Sequence, residues 1–128
     1  MKKISKRQVL LFVGLCSLLL CTSCDDRVTA EFTITNSTLR RIDSLSIEPN
    51  QNLTGKYIHL DPNETVEYKI DMTGIAQVDG SYLLTYQSNG LHLLERFGYY
   101  TNGHPLESTT DIEIQIDSVY IVQNFGVY

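Results

Sequence analysis

From Val66 to Met72 the side chains alternate without a break: Val66, Tyr68, Ile70 and Met72 are apolar, and Glu67, Lys69 and Asp71 between them are charged. Successive side chains of a strand leave on opposite faces, so this order puts one face in a core and the other in water. A helix needs apolar positions both three and four apart, and the segment has none three apart. The same period of two returns at Phe32 and Ile34 against Thr33 and Thr35, and at Leu45 and Ile47 against Ser44 and Ser46. It appears again at Ile112, Ile114 and Ile116 against Glu113, Gln115 and Asp117.

Turn chemistry punctuates these runs. Asn36-Ser37-Thr38 closes the first strand, and Glu48-Pro49-Asn50-Gln51-Asn52 closes a second that begins at Ile42. Lys56 to Leu60 reads as a third strand. Asp61-Pro62-Asn63-Glu64 then places proline at the second position of an expected type I turn, which predicts that the third and fourth strands form a hairpin. Asn89-Gly90 between Leu83–Gln87 and Leu91–Tyr100 is a strong hairpin signal, because both residues accept the positive φ of a type I′ turn. Asn102-Gly103 opens a polar loop lasting to about Thr110. A long last strand is expected from Asp111 to Gln123, bent near Asp117-Ser118. Seven short strands without a helix predict an all-β fold, a single antiparallel two-sheet sandwich. Asp79-Gly80-Ser81-Tyr82 resembles the tyrosine corner of immunoglobulin-like domains, with Leu84 where their disulfide cysteine stands. The resemblance, which extends to transthyretin-like sandwiches, implies that the Tyr82 hydroxyl bonds back to nearby backbone.

Ahead of this body lies a different kind of segment. Lys2, Lys3, Lys6 and Arg7 precede an apolar run from Val9 to Leu20, followed by Thr22 and Ser23. A basic head, a short apolar stretch and small residues are the layout of a secretory signal. The stretch is well short of the roughly 20 residues that a spanning helix takes. Leu20-Cys21-Thr22-Ser23-Cys24 resembles a bacterial lipobox, which implies cleavage before Cys24 and lipidation of its thiol. Residues 1–23 are then a signal peptide, 24–30 the lipidated cysteine and tether, and 31–128 the sandwich domain. Cleavage removes Cys16 and Cys21, so the mature chain has no second thiol for a disulfide. Acyl chains at Cys24, palmitate among them, would hold the domain to a membrane at about 0.8 kcal/mol per buried methylene. The expected address is the Gram-negative envelope at the outer membrane. Asp25-Asp26 fits either a solvated tether facing the periplasm or a signal for display outside.

Composition narrows the partners. Four of the ten Lys and Arg sit in the basic head, leaving six against fifteen Asp and Glu, a formal charge of −9 for residues 24–128. Such a balance argues against nucleic acid or anionic headgroups as the main partner. His59, His92 and His104 stand in no ligand spacing, and no nucleophile motif or phosphate loop occurs, so neither a metal, another cofactor nor an enzyme is expected. Asp61, Asn63 and Glu64 offer oxygens at a turn but lack the spacing of a calcium loop. Asn36, Asn52 and Asn63 begin Asn-x-Ser/Thr triplets that read as turn composition. Asp43-Ser44-Leu45 and Asp117-Ser118-Val119 resemble the Asp-Ser/Thr-aliphatic triplets that carry O-glycans in some exported bacterial proteins, which implies Ser44 and Ser118 as acceptors. In the run from Arg96 to Pro105, Phe97 and Tyr99 are assigned to the core, and Tyr100, Asn102 and His104 to a partner-facing loop. The chain therefore reads as a tethered, non-catalytic binding or structural module for a protein or glycan, or as an accessory or inhibitory subunit of an envelope complex.

Overall fold

The computed structural model describes residues 26–49 and 56–126. The signal, Cys24 and Asn52 lie outside that set. Two sheets pack face to face, and no helix occurs among the described residues. The strands are β1 (Thr29–Asn36), β2 (Ile42–Pro49), β3 (Ile58–Leu60), β4 (Thr65–Asp71), β5 (Gly80–Ser88), β6 (Leu91–Thr101), β7 (His104–Pro105), β8 (Thr109–Ile114) and β9 (Val119–Asn124). One sheet has the order β4-β1-β8-β9 and the other β3-β2-β5-β6-β7.

The all-β sandwich expected from the alternation is therefore present, with differences in connectivity. β3 and β4 are not a hairpin: β3 pairs with β2, and β4 crosses to the other sheet to pair with β1. The Asp61–Glu64 turn that joins them is closed by Glu64 N–H donating to Asp61 O at 3.1 Å, and Asn63 has φ 62°. A positive φ at the third position belongs to type II rather than type I. The expected last strand is two strands, because the residues near Asp117 reverse the chain fully and pair β8 with β9. Asn102-Gly103 makes a second tight hairpin between β6 and β7, with φ values of 51° and 77°. The sandwich is also not wholly antiparallel, since β1 runs parallel to β8.

The core comes from the alternating residues. Ile34, Ile42, Leu45, Ile47, Leu60 and Leu84 are fully buried, and Phe32 packs edge-on against Tyr82 and Phe97 with ring centroids 5.1 and 5.7 Å apart. Such aromatic pairs add about 0.5–1.5 kcal/mol beyond the area they bury. Two polar devices organise the framework. The buried Asn36 side chain donates to Arg40 O, Leu60 O and Asp61 O at 2.8, 3.1 and 3.1 Å. Its own oxygen accepts from Thr38 N and Thr38 Oγ1. It thereby ties the β1–β2 loop to the end of β3.

The second device is Tyr68 on β4. Its hydroxyl donates to Lys56 O at 2.7 Å and accepts from Ile47 N at 3.3 Å, bridging one sheet to the other. The clamp that the tyrosine-corner resemblance implied for Tyr82 is thus made by Tyr68. Tyr82 is buried, but its hydroxyl has no hydrogen-bond partner among the described residues. Burial, with Glu107 and Tyr100 adding, pushes its phenol far above the ordinary tyrosine range.

Candidate functional site

Two β-bulges decide which residues of the sequence-predicted sites face outward. Between Gly80↔Tyr100 and Tyr82↔Phe97 the β5–β6 register shifts by one residue, and Gly98 on β6 has φ 62°. A glycine in the left-handed region is what such a bulge uses, and the extra residue inverts the alternation beyond it. Phe97 points inward as expected, but past the bulge Tyr100 rather than Tyr99 enters the core. Tyr100 is fully buried against the Tyr82 ring, with centroids 5.5 Å apart, whereas Tyr99 is 43% exposed. Tyr100 therefore leaves the expected partner-facing loop. Asn102 and His104 stay exposed at the β6–β7 turn.

Asp79 holds that turn. Its carboxylate accepts from Tyr99 Oη at 2.8 Å, Thr101 Oγ1 at 2.7 Å and Asn102 N at 3.0 Å. Those bonds, the Thr101 hydroxyl first, hold its acidity below the ordinary carboxylate value, while the Tyr99 phenol is raised by its bond to Asp79. The second bulge lies on β2. Ser44 has φ 50°, and the register with both β3 and β5 slips across it, which lets Ile42 and Leu45, three apart, both reach the core. Ser44 is thereby turned out to solvent, and Ser118 is exposed in the β8–β9 turn.

The remaining sequence-predicted groups do not converge. His59, His92 and His104 are all exposed, on three different strands. Among the described residues no three His, Cys, Asp or Glu side chains stand close enough to hold a metal. The oxygens of the Asp61–Glu64 turn are engaged locally: Glu64 Oε2 accepts from Asp61 N at 2.7 Å, and Arg41 lies 3.8 Å from Asp61 Oδ1.

What the structure does assemble is an apolar cleft at one end of the sandwich. About 400 Å³ in volume, it lies between the β1–β2 loop, the β5–β6 hairpin and the β8–β9 turn. Leu39, Leu91, Leu93 and Ile116 line it at 82, 63, 40 and 72% exposure, over a floor of Tyr86 and Ile114. Its rim carries Arg40, whose guanidinium donates to Asn89 Oδ1. A second depression of about 250 Å³, lined by Leu94, Gln115 and Val119, shares the Leu93 and Ile116 wall. This cleft is the candidate site, because exposed apolar surface is where a partner gains most from burial. The sequence reading missed it. The available signals were Leu39 alone in a polar loop and Leu91-His92-Leu93-Leu94, where alternation fails.

No helix among the described residues is long and apolar enough to cross a membrane. No protein-family model matches the chain, and no curated protein is detectably similar to it.

Proposed function

We propose that this chain is a lipoprotein of the Gram-negative envelope that acts as a non-catalytic binding or structural module on a protein or glycan. In this reading the sandwich, of immunoglobulin-like or transthyretin-like kind, is carried on a tether from lipidated Cys24 at the outer membrane. The observation that supports the binding role is the apolar cleft walled by Leu39, Leu91, Leu93 and Ile116, whose burial against a partner gains about 25 cal/mol per Å². The Leu20–Cys24 segment supports the anchor. Ser44, on its outward bulge, and Ser118, in its turn, have the accessibility that an O-glycan acceptor needs.

The anchor is tested by expressing the full chain in a Gram-negative host with an alkyne analogue of palmitate. Label should enter the protein and vanish in Cys24→Ala; label that persists in the variant refutes the assignment. Ser44→Ala should lower the intact mass by a glycan, and a mass change of one oxygen alone removes that site.

A further inference from the structure

We infer that the open edge of β6 pairs with the same edge of a second copy of this chain, joining two five-stranded sheets across a two-fold axis. A strand edge left unpaired presents a row of N–H and C=O groups, a template on which another extended chain can pair. β6 pairs with β5 throughout, but on its other side only Tyr100 and Thr101 meet β7. Tyr99 N–H is taken by Glu107 Oε1 and Tyr99 O by Leu106 N. Residues 91–98 have no strand on that side among the described residues.

Three of the other edges, those of β3, β7 and β4, are blunted in ways this one is not. β3 has three residues, and β7 has two and ends in Pro105. The edge of β4 carries Glu67 and Lys69, and Lys56 Nζ donates to Lys69 O at 3.3 Å. Residues 91–96 are all exposed and include three leucines, of which Leu94 is 62% exposed. β9 also has an open side and serves below as a comparison.

Charge decides for a copy of the same chain. Like proteins of net charge −9 repel, but the charge is not evenly spread. Glu31, Glu67, Asp71, Asp111 and Glu113 share the outer face of the four-stranded sheet with Lys69. The outer face at β5 and β6 carries Leu83, Thr85 and Gln87 beside His92, Leu94 and Arg96, with no acid. Two copies meeting through β6 keep their acidic faces far apart. In a two-fold antiparallel pair, opposed residues share a face, so their numbers sum to an even value. With Leu93 on the axis, Leu91 opposes Glu95, His92 opposes Leu94, and the two Glu95 side chains stand at opposite ends. Placing Leu94 on the axis instead sets Glu95 diagonal to its own copy, where like charges destabilise. The structure therefore favours the register centred on Leu93.

The inference rests on reading this end of the sandwich as an interaction surface, and it is independent of the lipid anchor. Its test is photo-cross-linking in the cell, with the full chain carrying benzoylphenylalanine at Leu94 on β6, Val122 on β9 or Leu39 in the cleft, and two differently tagged copies expressed together. A band of twice the chain mass from Leu94, carrying both tags, absent from Val122 and mapping next to His92 of the second copy, is the expected result. It should be lost in Leu93→Lys, which sets two lysines against each other on the axis and whose fold is checked by circular dichroism. An adduct of Leu94 with a different protein overturns the self-pairing while leaving the binding role standing, as does a Leu39 adduct with none at Leu94. Adducts from neither position remove both.

Discussion

Replacing Gly98 by alanine separates two costs that usually arrive together. Gly98 has φ 62°, and a Cβ there would lie 2.8 Å from the Tyr82 ring; Gly90 has φ 76°, and a Cβ there would meet nothing within 4 Å. Alanine at Gly90 therefore incurs only the left-handed backbone penalty, about 1–2 kcal/mol. Alanine at Gly98 incurs the same penalty plus overpacking against an aromatic ring held by Phe32, Phe97 and Tyr100, a further cost of about 1–3 kcal/mol. The totals are about 1–2 against about 2–5 kcal/mol, out of a usual domain stability of about 5–15 kcal/mol. With a urea slope of about 1.5 kcal/mol per molar, the midpoint should fall by about 1 M for Gly90→Ala and about 1.5–3 M for Gly98→Ala. Equilibrium unfolding followed by far-ultraviolet circular dichroism reads both. Equal losses in the two variants, at unchanged slope, would refute the claim that the β6 bulge is pressed against the core.

Asn36→Ala, which strips five hydrogen bonds from a buried loop, should cost about 2–4 kcal/mol; a fall in thermal midpoint no larger than that of Ser37→Ala, which removes the one hydrogen bond of the half-buried neighbour to Glu113, would contradict the role given to it. Tyr68→Phe keeps the ring and loses the bridge between sheets, for which urea unfolding should show a loss of about 1–2 kcal/mol, whereas Tyr82→Phe, removing a hydroxyl without a partner, should be neutral or stabilising. Asp79 titrates below its ordinary value of 3.8, so in the folded state it holds its charge to lower pH than in the unfolded chain. Its contribution is therefore fully present above that ordinary value and is lost as pH falls through the depressed one. Carboxyl NMR should place its midpoint below 3.8, returning toward that value in the double variant Tyr99→Phe/Thr101→Val.

The alternating runs were legible because each is uninterrupted within its strand: Phe32 and Ile34, Tyr68 and Ile70, and Ile112 and Ile114 all face the core as their phase requires. Where a bulge adds a residue, phase stops being a guide. At Ser44 and Gly98 nothing in the order of side chains states that one residue is extra, which is why Tyr100 was assigned to the surface and Tyr99 to the core. Sheet partners were equally hidden. A short connection such as Asp61–Glu64 serves a hairpin or a crossover between sheets alike, and the choice falls to Tyr68 and Asn36, whose long-range bonds are invisible in local sequence. The apolar cleft escaped for a related reason: its walls come from three connections far apart in the chain, and only folding sets Leu39 beside Leu91 and Ile116.

The placement of β1 between β4 and β8 has a temporal meaning. Among the described strands β1 leaves the ribosome first, and it meets one neighbour in β4 and the other only in β8. Its sheet cannot close until β8 has been delivered. Contacts joining sequence-distant strands form late and slowly, so an early-released chain would spend that interval with Phe32 and Ile34 uncovered. Delivery and folding of such a chain are thereby coupled, with β8 as the piece whose arrival completes the first strand's surroundings.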